Sequence, residues 1–449
     1  MIVCKFGGTS VADADAIQRA AAIIAGRRER QPVVVVSALA GVTNALLAIA
    51  EQATAGELIV AARGVESLRE RHLAESRRLL GEDLGDLGER LSQLFDELAA
   101  LAEALHTLGH LTPRSLDAIA SLGERCSSLM VVAAFRAHGL DAVHVDARDV
   151  IRTSADFTKA TPLEEAIADQ AREYVMPHVR AGRIPVMGGY VGATAAGITT
   201  TLGRGGSDYS GALLGAAIHA DAIEIWTDVD GMLTADPRVV PDARLIEEIR
   251  FEEASELASF GAKVLHPSTI APAVKRGIPV FVFNSRRPEG CGTRITFEAP
   301  ARPVTALAGK RGISIVRVRS TRMLLAHGFL REVFEVFARH RTAVDVVATS
   351  EVSVSLTVED DAPLQDLVAD LSALGDVAVE QHRGIIAVVG TTLGASSPTM
   401  ATALTALGDS RVHMLSLSAT GINLTIIVDG DAVPDAMRRL HAAFFGAAT

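Results

Sequence analysis

The chain has 449 residues, of which 49% are hydrophobic and only 4% aromatic, and its 43 Lys and Arg against 54 Asp and Glu give a formal charge of −11 with neutral histidines. That length exceeds one ordinary core and predicts two or three domains, built mainly from Ala, Val, Leu and Ile in alternating strands and helices of the α/β class. The acidic balance excludes a large phosphate-backbone footprint, so no nucleic-acid partner is expected. Cys4, Cys126 and Cys291 lie too far apart for a zinc ribbon or a disulfide framework, which suits a reducing compartment. The chain opens directly on strand-like "MIVCKF", without a basic and then apolar leader. No stretch reaches the roughly 18 to 20 uninterrupted apolar residues of a membrane helix. A soluble, cytoplasmic protein with no membrane partner is expected.

From Met1 to about Ser285 the strand candidates are "IVCKF", "PVVVVS", "DAVHVD", "IPVMGG", "AIEIWTD" and "IPVFVF", separated by longer amphipathic runs. This is the pattern of parallel strands joined by crossover helices. Most of the runs end in Gly, Ser, Thr, Asp or Asn, and ligands of open α/β sheets bind beyond the carboxyl ends of strands.

The first strand leads into "KFGGTSVAD". Lys5, then Gly7 and Gly8, then a helix with Ser10 as N-cap and Ile17, Ala21 and Ile24 on one face, would present backbone N–H groups and a positive helix end to an anion. Lys5 adds a mobile charge, and a nucleoside triphosphate is the obvious guest. The spacing matches neither the dinucleotide fingerprint nor the P-loop, and an ordinary strand-to-helix turn has the same shape. Between about Glu51 and Gly109, Leu87, Leu91, Leu94, Leu98, Leu101 and Leu105 recur at steps of four and three, the seam of a helical elaboration. Arg69, Arg71, Arg77 and Arg78 read as its solvated face. His106 and His110 stand at i, i+4 but lack a third metal ligand.

"TTTLGRGGSDYSGALL" is a second glycine turn feeding a helix, with Arg204, Ser207 and Asp208 at the junction. Arginine pairs bidentately with a carboxylate, so this turn suits an acceptor anion. In "EIWTDVDGMLTADPRVV" a strand ends at Thr227 and Asp228, and Asp236 and Arg238 follow; these residues suit ribose, base or phosphate but also serve as turn-formers. Glu124 in "SLGERCSS" and Lys263 in "FGAKVLHP" are charges in apolar surroundings. The stretch around 286–304 is rich in Pro, Gly and charge and reads as a linker. After it, two successive β-α-β-β-α patterns predict a pair of small ferredoxin-like modules, with ligand sensing or plain oligomerisation as their role.

In order, "KFGGTSV", "VVVVSALAGVTN", "SLGERCS", "TTTLGRGGSDYS", "IWTDVDGMLTADPR" and "FGAKVLHP", followed by two small repeats, resemble the aspartate kinases over essentially the whole chain, in the monofunctional form. The resemblance implies the amino-acid-kinase fold, a three-layer α/β/α sandwich over 1–285, followed by a linker at 286–304 and two ACT domains. The first ACT domain would be 312–383, and the second 305–311 plus 384–449. It also implies ATP-dependent phosphorylation of the side-chain carboxylate of L-aspartate to 4-phospho-L-aspartate, the first step of lysine, threonine and methionine synthesis, with Mg²⁺ carried by the nucleotide.

By the same resemblance Lys5 stabilises the phosphoryl group in flight and Asp208 orients it. Phe6, Gly7, Gly8 and Thr9 line the phosphates; Thr227, Asp228, Leu233, Arg238, Lys263 and Val264 surround the nucleotide. Ser37 and Thr43 lie near the aspartate, Glu124 holds its ammonium, Arg204 its α-carboxylate, and Gly205, Gly206 and Ser207 complete the pocket. Leu233 stands where many relatives have tyrosine. The first repeat resembles that of lysine-sensitive members, with Met323, Gly328, Phe329, Leu330, Asp345, Ser350 and Glu351 facing the effector and Asp345 and Glu351 pairing with its ammonium. Ala326 and Ala343 replace hydroxyls common in those members. Homodimerisation through the ACT domains, extending to a dimer of dimers, goes with the family. The alternatives are a non-catalytic amino-acid sensor on this scaffold and a kinase for another small carboxylate.

Overall fold

The computed structural model describes residues 1–203, 205–260, 267–324 and 327–446. Contacts divide the chain into two units, Met1–Met232 with Val264–Phe297, and Leu233–Lys263 with Glu298–Thr449.

The first unit is built on a mainly parallel sheet. Its strands include Ala142–His144, Ile184–Gly188, Pro32–Val36, Ile2–Phe6, Ala222–Thr227, Val280–Asn284 and Thr293–Thr296, neighbours in that order. The last of these pairs antiparallel with Val280–Asn284, so the stretch expected to be a linker carries a strand of this sheet. Apolar β-branched runs such as "PVVVV" are buried along their whole length, as strands covered on both faces must be. On one face Ile2, Cys4 and Phe6 join a core formed with helices Ala14–Ala25 and Leu122–Ala137. On the other, helix Gly206–Ala217 lies close to the sheet, because a Cβ on Gly215 would come 2.7 Å from Ile223 Cδ1.

The helical elaboration comprises Val42–Thr54, Leu58–Leu80 and Gly85–Leu108. Leu87, Leu91, Leu98 and Leu105 are buried along the predicted seam, while Leu94 and Leu101 pack against it partly exposed. The arginines expected on a free solvated face are instead used as struts: Arg69 reaches Asp96 at 2.7 Å, Arg71 the Ala12 carbonyl at 3.2 Å, and Arg78 Asp15 at 3.0 Å. The run Pro113–Ala137 has the length and hydropathy of a membrane span, but it is mostly buried in this core.

The second unit carries a six-stranded antiparallel sheet. Two long strands, Ala306–Arg319 and Asp376–Val389, pair along most of their length with register shifts at Arg311–Ile315. The first pairs its carboxyl half with Ser353–Glu359, and the second pairs its carboxyl half with Asn423–Asp429. Helices Phe329–Arg339 and Leu364–Leu371 close one core over this sheet, and Ser397–Ala406 and Val433–Phe445 close another. The segment from Leu233 was expected to belong with 1–285, but it folds with this unit. Ala235 and Val240 enter the core of Ile386 and Met437. The Leu307 amide donates to the Thr234 carbonyl at 2.8 Å, and Thr305 and Thr391 both donate to Glu253 Oε1.

Candidate active site

Register aligns Phe6 with Val36 and Trp226, and Val36 with Gly188. Four parallel strands therefore deliver Gly7, Ser37, Gly189 and Thr227 to one edge of the sheet, where such folds bind ligands. Side chains alternate along a strand, so Lys5 points away from the core that takes Cys4 and Phe6, toward helix Gly206–Ala217. It is 7% exposed, and its Nζ lies 2.6 Å from Asp208 Oδ1. A buried ammonium needs such a partner, and Asp208 comes from the first turn of that helix, which follows Gly205 in the left-handed conformation (φ 74°).

The turn after Phe6 differs in one respect from the expected helix start. Gly8–Val11 is a 3₁₀ turn, and the α-helix begins at Ala14 with Asp13 as its N-cap, accepting from the Ala16 amide at 2.8 Å. Ser10, the predicted cap, is used elsewhere: its hydroxyl donates to the Trp226 carbonyl at 3.1 Å and lies 2.7 Å from Ser285 Oγ. The Gly7 amide donates to that same carbonyl at 2.9 Å. Among the described residues no backbone acceptor meets the amides of Gly8 and Thr9, so these are the donors left for an anion.

Across the strand ends, Glu124 is 4% exposed in helix Leu122–Ala137. Burial raises its carboxyl to about 8; the Ala38 amide and the Lys5 charge pull the other way but less strongly. Its Oε2 is buried without a hydrogen-bond partner. An unpaired buried carboxyl is costly, and a ligand cation would relieve it. The Ser37 amide donates to Phe6 at 3.0 Å, and the Ser37 carbonyl accepts from Ser127 Oγ at 2.8 Å. Thr43 stands in the first turn of Val42–Thr54. Gly189 lets Ser207 approach, since a Cβ there would sit 2.8 Å from Ser207 Cβ.

In the stretch of the same unit expected to face the nucleotide, Thr227 Oγ1 lies 3.3 Å from Asp228 Oδ1, and the Thr227 carbonyl accepts from the Ser285 amide at 2.8 Å. Asp230 next to them is held by Asn284 and Arg287, each at 2.7 Å. In the second unit Leu233 forms an isolated bridge with Leu245, and the exposed Arg238 is held in a two-pronged pair by Asp236. Arg204, Lys263, Val264 and Ala326 lie outside the described residues.

Sequence reasoning missed Tyr190, Asn284 and Ser285. Tyr190 has left-handed backbone (φ 64°), its amide donates to Ser210 Oγ at 2.9 Å, and its carbonyl accepts from the Leu202 amide at 2.9 Å. The polar endings of "IPVMGGY" and "IPVFVFNS" were the signal for all three.

The seven effector candidates do not gather in one chain. Ser320 is tied to Val352 and Ser350 to Ser353 at one end of the strand Ser353–Glu359, beside Met323 and the helix start at Gly328, Phe329 and Leu330. The Asp345 amide instead donates to the Thr357 carbonyl at 3.0 Å. That is four residues along, about 13 Å at strand rise. Asp345 is also engaged by Lys310 at 3.5 Å. The joint pairing of Asp345 and Glu351 with one ammonium, expected from sequence, would have to span that offset and compete with Lys310 for Asp345.

Comparison with known proteins gives one family. The Amino acid kinase family model matches residues 1–284. The lysine-sensitive aspartokinase 3 of Escherichia coli is 38% identical over 454 residues, covering 99% of both chains. The crystal structure of E. coli aspartokinase III with aspartate and ADP, in the R-state, superposes with a TM-score of 0.85 over 99% of this chain and 100% of that one, at 38% identity. The T-state structure with lysine and aspartate gives 0.84 over 99% of each, also at 38% identity.

Proposed function

The chain belongs to the amino acid kinase family and within it to the aspartokinases, and on that premise we propose how its own residues perform the reaction. It transfers the γ-phosphoryl group of ATP to the side-chain carboxylate of L-aspartate, and lysine regulates it. One aspartate side-chain oxygen forms a bond to the γ-phosphorus, the bond to the bridging oxygen breaks, and ADP leaves with the electron pair. A carboxylate is already a nucleophile, so no general base is required; two anions must be aligned and their repulsion offset.

Lys5 supplies positive charge to the phosphoryl group, and Asp208 fixes its direction. The Gly8 and Thr9 amides bind phosphate oxygens, with Phe6 and Gly7 shaping the turn, and Thr227 and Asp228 bound the nucleotide together with Leu233, Arg238, Lys263 and Val264. Glu124 receives the aspartate ammonium and Arg204 the α-carboxylate, while Ser37, Thr43, Gly205, Gly206 and Ser207 line the pocket. Among the described residues no three His, Cys, Asp or Glu side chains group as a metal site. The Mg²⁺ of the reaction would arrive on the nucleotide phosphates and add further charge neutralisation there. Lysine acts through the first module, and the assembly is a homodimer through the ACT domains. An effector must bind the inactive arrangement more tightly than the active one to shift the balance.

The observation that carries the substrate assignment is the buried, unpartnered oxygen of Glu124 within the electrostatic reach of Lys5. Formation of aspartyl hydroxamate by purified protein with ATP, Mg²⁺ and L-aspartate, across a lysine titration, tests it. The expected result is a rate that saturates with aspartate and falls with lysine. No aspartate-dependent rate would overturn the reading; a rate indifferent to lysine would remove the effector assignment alone.

A further inference from the structure

Asp117 lies in helix Pro113–Ala120, outside every motif considered above, and is 1% exposed. Its carboxylate accepts three hydrogen bonds from two separate segments. Oδ2 accepts from the Thr201 amide at 3.0 Å and the Thr158 amide at 2.9 Å, and Oδ1 accepts from the Thr201 hydroxyl at 2.6 Å. Thr158 is in left-handed backbone (φ 72°), a conformation a threonine holds only when its surroundings fix it. The Ala160 amide then donates to the Thr201 carbonyl at 2.9 Å, and Thr153 and Thr200 pair their hydroxyls at 2.7 Å.

This clamp sits immediately before the acceptor turn. Two residues after Thr201 comes Gly203, where a Cβ would stand 3.2 Å from the Thr158 carbonyl, and then Arg204 and Gly205. We propose that Asp117 is a positioning residue for aspartate binding: by joining the 155–160 segment to strand Thr199–Thr201, it sets the path of the chain through Gly203 and into the first residues of helix Gly206–Ala217. At 1% exposure the Asp117 carboxylate is committed to these three donors. A charged acceptor with three donors is among the stronger hydrogen-bond arrangements, and its loss frees the turn rather than the core beneath it. The inference rests on the aspartate kinase reading for its kinetic consequence, but not for its structural one.

The test uses the full chain. In Asp117→Asn the amide oxygen can still accept from both backbone N–H groups, but the carboxylate charge is lost and an NH₂ donor faces the Thr201 hydroxyl, and KM for aspartate is expected to rise about tenfold while KM for ATP stays within twofold. Amide exchange should quicken in 155–160 and 199–207 and nowhere else. Thr201→Val, which keeps the backbone donor and loses the hydroxyl, should shift KM for aspartate in the same direction by less, and Thr201→Ser should restore it. Equal changes in both KM values, or a fall in thermal stability with neither KM moved, would overturn the proposal. If Asp117→Asn does not fold, the Thr201→Val and Thr201→Ser pair decides alone, and an unchanged KM for aspartate in Thr201→Val counts against it. If the wild-type protein shows no aspartate-dependent activity, the kinase reading fails. The exchange pattern then still judges the clamp, with uniform exchange rejecting it.

Discussion

The two units place their charges differently. On the antiparallel sheet Arg317, Glu380, His413, Asp429 and Arg383 form a chain of pairs, at 3.3 Å, 3.0 Å, 2.9 Å and 2.7 Å in turn. Each member has at least one oppositely polar neighbour in the chain, although Arg317 Nε and Arg383 Nε are left without a partner among the described residues. At the strand ends of the parallel sheet, Lys5 has one partner and Glu124 Oε2 has none. Charges linked in a chain of pairs hold a structure together, whereas a buried carboxyl oxygen left without a partner reserves room for a ligand.

The strongest way to break this contrast is at Lys5. Lys5→Met should lower kcat about 10³-fold, the scale on which a preorganised charge at a transition state acts, with little loss of thermal stability; a kcat within tenfold of wild type would show the charge to be structural. Next is Glu124→Gln, expected to raise KM for aspartate about 100-fold. The sign of its stability effect is also fixed. A carboxyl raised from 4.5 to about 8 binds its proton more tightly folded than unfolded, so the empty protein loses stability as pH rises between those values. The substitution should therefore raise the melting temperature of the ligand-free protein at pH 8 by an amount worth a few kcal/mol. An unchanged or lowered melting temperature would show that Glu124 is not a strained carboxyl.

The same group gives a pH profile. Aspartate binds the ionised form, so KM for aspartate should fall about fivefold between pH 7 and pH 8 as Glu124 ionises near 8, and Glu124→Gln should flatten that slope. In the second unit His413→Ala leaves two carboxylates facing a gap where a 2% exposed side chain had been. It should cost about 1 to 3 kcal/mol in denaturant unfolding of that unit while leaving KM for aspartate without effector unchanged. The smallest expected effect is Leu233→Tyr, which should lower KM for ATP two- to fivefold through a regained ring contact; an unchanged value would show that the position makes no such contact.

Much of this was legible in the sequence because it depends on short-range chemistry. The β-branched runs with polar endings, the glycine turns at Gly7 and Gly205, and the leucine seam from Leu87 to Leu105 each announce their structure locally. What was not legible depends on partners distant along the chain. Ser10 has an N-cap's chemistry, but Trp226 and Ser285 compete for its hydroxyl, and Asp13 takes the cap. The stretch 286–304 has linker composition, yet a free sheet edge beside Val280–Asn284 recruits Thr293–Thr296. The segment after Leu233 reads as part of the nucleotide region, and only the acceptors on Glu253 and the core around Met437 show with which unit it folds. Asp117 gave no local sign, since its donors lie 41 and 84 residues away.

The long strand Ala306–Arg319 also bears on how the protein is made. Ala306 pairs with Val389, 83 residues further on, while Ile313 to Arg319 find partners from Glu359 back to Ser353. During synthesis at roughly 5 to 20 residues per second, the amino half of that strand waits on the order of ten seconds for its partner to leave the ribosome. Its apolar edge, Ala306 to Ala308, is open to any passing strand in that interval. The second unit should thus be the part that most needs chaperone cover as it is born, and the part where slowed translation does most to raise or spoil the yield of folded protein.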